Sequence, residues 1–172
     1  MIMLVVVTSC RQIEPLVEQE LSNGPEFTAR IEEFDPETKT ALDGNSVVWS
    51  AEDQIAVFQG TAKADKYQVD EDCIGTKEGI FAVVAKGETS SAENFNANIA
   101  IYPYQDGLAV TPTSATEYQI TGVTIPSTQT YTENTFSNGS FLMAAITDGL
   151  NDHTLKFKNL CGALKLQLKG TA

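Results

Sequence analysis

Apolar and polar residues alternate in short segments along most of this chain, most clearly near its C-terminal end. Leu155 and Phe157 alternate with Lys156 and Lys158, and residues 164–169 repeat the pattern after a break. A period of two residues places successive side chains on opposite faces of a strand, so one face is apolar and the other charged. No long segment has the 3.6-residue period of an amphipathic helix. The pattern therefore predicts antiparallel strands with one face in water.

Other candidate strands recur at regular spacing between residues 27 and 147. Residues 80–85 are a continuous apolar run, which predicts a strand buried on both faces. The alternating segment 118–125 ends at Pro126, which has no backbone N–H to donate to a strand ladder. The remaining candidates are residues 27–31, 47–49, 55–58, 98–102 and 141–147. Many short strands predict an all-β fold, and specifically an antiparallel β-sandwich.

Residues 47–58 contain the pattern of a hairpin. Val47 and Trp49 would share one face of a first strand, with an alternating second strand over residues 55–58. Ser50 and Asp53 suit the intervening turn, because their short polar side chains can bond nearby backbone groups. The segment therefore predicts two paired, half-buried strands.

The charge balance excludes one class of partner. The 172 residues include 23 acidic and 11 basic side chains, for a formal charge of −12. A negative surface repels phosphate backbones, so we expect no nucleic acid partner. A hydrophobic content of 42% with 20% charged residues is typical of a globular protein, and the length predicts a single domain.

The N-terminus has the pattern of a bacterial lipoprotein signal. An apolar run over residues 2–7 is followed by Thr8, Ser9 and Cys10. Small residues before the cut suit the signal peptidase, and the thiol accepts the diacylglyceryl group. We therefore predict a partial signal peptide at 1–9, lipid attachment at Cys10 and a polar tether over 10–25. The alternative is a buried N-terminal strand with an incidental cysteine. A transmembrane helix is excluded, because the run is too short for one.

Few residues point to a reaction centre. His153, the single histidine, has no Gly-x-Ser-x-Gly elbow elsewhere in the chain, and we interpret it as an exposed loop residue. The acidic run 70–72 lacks the alternating spacing of a calcium loop and is interpreted as a solvated charge run. Cys73 and Cys161 are able to pair in an oxidising compartment, but the apolar setting of Cys161 favours a buried free thiol. We predict no catalysis, no metal and no cofactor.

Several segments, taken in order, resemble the fimbrillin-like proteins of Bacteroidetes, which are lipoprotein-derived subunits and accessory proteins of surface fimbriae. The first block contains Thr38, Lys39 and Thr40, then Trp49 within 47–50 and Asp53 before 55–58. Later blocks follow in the family's order and bring the coverage to most of residues 27–168. The matching segments are residues 38–40, 47–58, 100–104, 125–131, 141–144 and 155–160.

The resemblance implies a transthyretin-like β-sandwich over residues 26–170, exported as a lipoprotein to the outer membrane and the cell surface. It also implies fimbrial subunits or other surface proteins as partners. In fimbrial members, a trypsin-like protease removes an N-terminal piece, and a strand from the next subunit fills the groove. Here the strand to be removed would lie at Phe27–Ile31, with Arg30 and Lys39 as candidate cut sites. The alternative for Arg30 is an exposed strand residue without a special role.

The sequence leaves alternatives open for the extent of the chain and for its function. Fimbrial subunits of this family have a second sandwich, so the chain is either the front part of a subunit or a stand-alone surface domain. The alternative function is a surface lipoprotein that binds a glycan or host ligand through loop aromatics. The candidate ligand-binding aromatics are Tyr102, Tyr104, Tyr118 and Tyr131, although tyrosines near strand ends are more often partly buried core edges.

Overall fold

A computed structural model describes residues 24–32, 47–87, 95–130, 137 and 139–161. Within these ranges the chain forms nine β-strands and one short 3₁₀ helix, Glu71–Cys73. The strands are β1 Phe27–Ile31, β2 Gln54–Gln59, β3 Asp65–Val69, β4 Glu78–Ala85, β5 Asn98–Tyr102, β6 Ala109–Pro112, β7 Tyr118–Thr121, β8 Met143–Ile146 and β9 Thr154–Asn159.

Seven strands close into a barrel in the order β1–β4–β3–β2–β5–β8–β9. β9 returns to β1, and these two strands run parallel, with Ala29 opposite Leu155 and Ile31 opposite Phe157. The other neighbouring pairs in the barrel are antiparallel. β6 and β7 form a separate antiparallel hairpin. β1 is therefore the strand whose parallel pairing with β9 completes the barrel.

The predicted antiparallel, transthyretin-like β-sandwich is wrong, although the described strands do form an all-β fold. The sandwich prediction followed from many short strands at regular spacing and from the resemblance to fimbrillin-like proteins, and a barrel is likewise built from short strands with alternating faces. What separates the two architectures is the pairing of β1 with β9. That contact joins opposite ends of the described chain, and no local pattern specifies it.

The barrel interior holds the main hydrophobic core. Its largest members are aromatic, and the Trp49 ring lies edge-on to Phe81, Tyr102 and Phe157 at centroid distances of 4.9, 5.6 and 5.8 Å. Such T-shaped pairs add to the energy of area burial. The other buried side chains of this core include Phe27, Ala29, Ile31, Ile55, Val57, Tyr67, Val69, Val83, Met143 and Leu155.

A second core lies outside the barrel wall, under the β6–β7 hairpin. β2 and β5 bury side chains on both faces, because Phe58 and Ile101 point outward into this second core. Val110 of β6 and Phe95 cover them, and Tyr118 packs its ring edge-on against Phe95 at 5.6 Å. The hairpin therefore covers the apolar outer faces of β2 and β5.

β4 does not have the burial that its apolar run predicts. Phe81 and Val83 face the core, whereas Ile80 and Val84 face solvent and are 43% and 42% exposed. The strands with two buried faces are instead β2 and β5, which lie beneath the hairpin. An apolar run indicates a buried strand, but the position of a covering element decides which run has both faces buried.

The predicted hairpin over residues 47–58 is also wrong in its pairing. β2 pairs with β3 and β5, while Trp49 N–H donates to Thr76 O at 2.9 Å and Trp49 O accepts from Gly75 N–H at 2.8 Å. The turn chemistry predicted for Asp53 is confirmed, because its Oδ2 accepts from Ser50 N–H at 2.7 Å. Residues 47–49 thus leave β2 at this turn and bind the β3–β4 loop.

Candidate functional site

The best-defined candidate site is the position that β1 occupies between β4 and β9. We call this position the β1 slot. Phe27 and Ala29 are fully buried and Ile31 is nearly so, whereas Arg30 is exposed. The alternation follows from the strand period of two. Burying Phe27 and Ile31 contributes on the order of 2–3 kcal/mol each. Three inward side chains therefore hold β1 to the core.

Phe27 is the aromatic residue of β1, and its ring packs against two other rings. Its ring lies edge-on to Tyr67, with centroids 5.3 Å apart and planes at 86°. It also contacts the His153 ring at 5.1 Å and 63°. The lone histidine is exposed, as expected for a loop residue, and its ring packs against the strand that closes the barrel. His153 is a structural contact of β1, a role that the sequence did not indicate.

Backbone hydrogen bonds from the loops hold both ends of β1. Thr28 N–H donates to His153 O at 2.9 Å, and Ile31 N–H donates to Lys77 O at 3.1 Å. Just beyond the strand, Glu32 N–H donates to Phe157 O at 3.0 Å. The amide groups of β1 are therefore divided between β4 and its loop on one side and β9 and its loop on the other.

Arg30 has an exposed side chain, but its backbone lies within the paired part of β1. The side chain points to solvent, opposite Glu78 on β4 and Lys156 on β9. Its backbone runs in a strand that is paired on both edges. A protease binds its substrate as an extended, unpaired segment, so cleavage after Arg30 requires β1 to leave the barrel first.

Asn98 organises the loop that holds the start of β1. Its side chain is 1% exposed, and its Nδ2 donates to Leu150 O at 3.1 Å and Asp152 O at 2.8 Å, with Gly149 O at 3.4 Å. These carbonyl groups precede His153, whose carbonyl oxygen accepts from Thr28. No sequence motif singles out Asn98, and the signal that could have found it is a polar residue at the start of an otherwise apolar strand.

A polar network covers the end of the barrel beside Phe27. Gln59 Nε2 donates to Tyr67 Oη at 2.9 Å and to Asp65 Oδ2 at 3.0 Å. Lys86 Nζ lies 3.1 Å from the same Asp65 oxygen. Burial first and the nearby Asp65 second raise the pKa of Tyr67 to about 12, against the opposing effect of the hydrogen bond from Gln59. Burial against the β1 slot therefore favours the neutral form of the Tyr67 hydroxyl, and Gln59 supplies its hydrogen bond.

The tyrosines considered as ligand-binding aromatics are largely engaged. Tyr102 packs against the hydrophobic core inside the barrel, and its hydroxyl donates to Asp53 Oδ1 at 2.8 Å. Burial first and Asp53 second raise the pKa of Tyr102. Tyr104 donates to Asp106 Oδ1 at 3.1 Å and lies 4.3 Å below Lys66 Nζ. Tyr118 packs in the outer core. Tyr131 lies outside the described residues.

The remaining candidate residues have structural surroundings. In the acidic run 70–72, Asp70 Oδ1 accepts from Asp72 N–H at 2.9 Å and caps the 3₁₀ helix. No group of three or more potential metal ligands occurs within the described part of the chain. Cys73 and Cys161 are free and half-buried, so Cys161 is less buried than its setting predicts. In the same part of the chain, no helix combines the length and apolarity needed to cross a bilayer.

Cys10 and Lys39 lie outside the described residues, as do the signal segment 1–9 and most of the tether 10–25. Comparisons with protein-family models, curated proteins and solved structures found no match for this chain. The resemblance to fimbrillin-like proteins therefore stays a prediction from sequence segments. The geometry of the β1 slot is the structural basis for a functional proposal.

Proposed function

We propose that this protein is a lipid-anchored, fimbrillin-like cell-surface protein that acts as a structural or assembly component of fimbriae. In this proposal β1 occupies its slot until a strand from another subunit replaces it. The single observation that supports the proposal is that one short N-terminal strand closes the barrel and fills the core through alternate side chains.

Removal of β1 would leave a groove suited to another strand. β4 and β9 would each expose unpaired N–H and C=O groups, which form a template for strand addition. The groove would also expose Tyr67, Phe81, Leu155 and Phe157, which belong to the inner core. Because both the backbone groups and the apolar side chains need a partner, an opened barrel would bind an extended segment in preference to staying empty.

The slot also specifies the sequence of a donor strand. β1 runs antiparallel to β4 and parallel to β9, so a donor in the native direction reproduces both registers. It needs apolar side chains at the positions of Phe27, Ala29 and Ile31. The middle residue must be small, because Ala29 lies opposite Gly79, over which Trp49 packs. An aromatic–small–aliphatic pattern at alternate positions is therefore the expected donor signature.

A peptide-replacement experiment tests the proposal. The full chain is treated with trypsin, and intact mass identifies new N-termini after Arg30 or Lys39. The cleaved protein is then incubated with an excess of a labelled synthetic peptide of residues 24–32. We expect the peptide to bind, and we expect a matched peptide with Phe27→Asp to bind at least tenfold more weakly, because a carboxylate cannot enter the aromatic pocket.

Two results would contradict strand replacement. One is a cleaved protein that binds neither peptide and remains monomeric. The other is equal binding of the two peptides. A monomer whose melting temperature rises on addition of a glycan would instead support the alternative function, a surface binding module. A variant with both Arg30→Gln and Lys39→Gln should resist trypsin at these sites and serves as the uncleaved control.

The lipid anchor has its own test, since Cys10 lies outside the described residues. The Cys10→Ala variant should move from the membrane fraction to the soluble fraction, because it lacks the thiol that accepts the lipid. Continued membrane association of this variant would contradict lipid attachment at Cys10 and would leave the strand-replacement proposal intact.

A further inference from the structure

The surface of the β6–β7 hairpin and of the segment that follows it is rich in hydroxyl groups and nearly free of charge. Residues 107–130 include nine serine and threonine residues and a single charged residue, Glu117, although 20% of the whole chain is charged. All nine hydroxyl-bearing side chains are exposed. We call this surface the hydroxyl face. Its members are Thr111, Thr113, Ser114, Thr116, Thr121, Thr124, Ser127, Thr128 and Thr130.

Proline stands next to the hydroxyl groups in two places on this face. Pro112 separates Thr111 from Thr113. Pro126 directly precedes Ser127. A segment rich in serine, threonine and proline is typical of O-glycosylated stalks. The composition therefore points to sugar attachment, and the backbone geometry shows which hydroxyl groups are best presented to a transferase.

The segment 125–129 has an accessible backbone between two anchored ends. At one end, Gln105 Nε2 donates to Thr124 O at 2.9 Å, and Thr124 N–H donates to Gln105 Oε1 at 2.8 Å. At the other end, Thr130 N–H donates to Ser137 Oγ at 3.2 Å. Among the residues that the structure describes, none forms a backbone hydrogen bond with 125–129. An enzyme that binds its acceptor as an extended segment can therefore reach this backbone without unfolding a strand.

The hydroxyl groups of the β6–β7 turn are less available. Thr113 N–H donates to Glu117 O at 2.9 Å, which closes the turn. Ser114 Oγ donates to Glu117 Oε2 at 3.5 Å. The hydroxyl groups of Ser127 and Thr128 have no such partner within the described ranges of the chain. These two residues are therefore the best acceptors on the hydroxyl face.

We propose that Ser127 and Thr128 are sites of O-glycosylation. In this reaction the acceptor Oγ attacks the anomeric carbon of a sugar carried by a glycosyl phosphate or diphosphate donor. A C–O bond forms between Oγ and the anomeric carbon, and the bond from that carbon to the donor's phosphate oxygen breaks. The hydroxyl proton passes to a base of the transferase, and the phosphate or diphosphate group leaves.

The proposal does not depend on strand replacement. The hairpin that precedes the acceptors covers β2 and β5, which are each three strands away from β1 around the barrel. Sugars on this side would supply the hydration that charged side chains supply elsewhere on the surface. They would also leave the β1 slot clear.

Mass spectrometry of the protein isolated from its native membrane fraction tests the proposal. Residues 87–155 contain no Lys or Arg, so trypsin does not divide this region, and a Glu-specific protease is used instead. Cleavage after Glu117 separates the β6–β7 turn, in peptide 94–117, from the proposed acceptors, in peptide 118–133. We expect peptide 118–133 to be heavier than its sequence by whole sugar residues, and peptide 94–117 to have the mass of its sequence.

Two double variants locate the acceptors. Ser127→Ala combined with Thr128→Ala should abolish the increase in mass. The matched control, Thr111→Ala combined with Thr113→Ala, should leave the increase unchanged. All four side chains are exposed, so both variants should fold, and their melting temperatures check this.

The same chain produced in a host that does not glycosylate proteins provides the reference masses. The proposal is overturned if peptide 118–133 from the native protein has its reference mass, or if the increase persists in the variant that lacks both acceptors. A sugar found only in peptide 94–117 also overturns it.

Discussion

At the scale of single residues, Gly79 and Trp49 show how closely the barrel interior is packed. An ideal Cβ on Gly79 would lie 2.9 Å from Trp49 Cδ1 and 3.3 Å from Phe81 Cε2. Trp49 itself is 1% exposed and surrounded by aromatic rings, so it has no room to move aside. Glycine inside a strand otherwise weakens it, and here the close approach of the indole ring requires it.

Gly79→Ala should therefore destabilise the protein. We expect the free energy of unfolding to fall by about 1–3 kcal/mol, the usual cost of overpacking a core. Urea denaturation monitored by Trp49 fluorescence measures it. Gly149→Ala is the matched control, because a Cβ there would lie 3.9 Å from Asn96 O, an ordinary contact. Equal losses in the two variants would contradict the packing argument.

The raised pKa of Tyr67 predicts that the protein loses stability in alkali. Its pKa is raised from 10.0 to about 12, mainly by burial, so the folded state favours the neutral phenol. The resulting stabilisation is complete below the ordinary pKa and is lost as pH rises towards the raised value. Tyr102, whose pKa is raised by burial and by Asp53, acts in the same direction.

Tyrosinate absorbance against pH measures this effect. In the native protein we expect part of the tyrosine signal to titrate well above pH 10, and in urea we expect all of it to titrate near 10. Tyr67→Phe should remove part of the late-titrating signal and reduce the alkaline loss of stability. Identical native and denatured titration curves would show that Tyr67 is not protected.

At the scale of elements, the β8–β9 loop depends on one side chain. Asn98 donates to carbonyl groups at 149, 150 and 152, and Thr147 Oγ1 accepts from Asn98 N–H at 2.9 Å. A buried amide that bonds several carbonyls fixes the loop, because an unpaired buried carbonyl is costly. Since the next residue, His153, accepts from Thr28, the same amide also holds the start of β1.

Asn98→Ala should loosen β1 at one end only. We expect a loss of about 1–3 kcal/mol in stability from the unpaired carbonyl groups. Hydrogen exchange should accelerate at the Thr28 amide, which bonds to this loop. The Ile31 amide, which bonds to Lys77 O, is the internal control and should be affected less. Equal acceleration at both amides would indicate general destabilisation and contradict this role for Asn98.

The individual strands differ in how well the sequence predicts them. Phe27–Ile31 and Asn98–Tyr102 are confirmed with the predicted bounds, because their alternation or apolar run is local and complete. The segment 118–125 ends early, at Thr121, because Gly122 follows with a φ of +80° and approaches the Gly107 carbonyl. The prediction that β4 is buried on both faces is wrong, because a run of apolar residues does not reveal where the covering hairpin lies.

At the scale of the whole molecule, barrel closure is a long-range property. β1 meets β9 in parallel, although most of the described chain separates them, and alternation along each strand is compatible with either a sandwich or a barrel. The candidate site could be predicted in part, because the sequence predicts a strand at Phe27–Ile31; the replacement of that strand stays a prediction. Its contacts with His153 and Tyr67, and its support by Asn98, depend on tertiary packing and could not be predicted.

Strand replacement requires β1 to separate from an otherwise folded barrel, and native-state hydrogen exchange measures this separation. β1 buries side chains on one face only, whereas β2 and β5 bury them on both, so β1 should open locally before the barrel unfolds. We predict that the β1 amides exchange with a lower opening free energy than those of β2 and β5, which are buried on both faces. If β1, β2 and β5 all exchange only through global unfolding, β1 is an inseparable part of the barrel and strand replacement is contradicted.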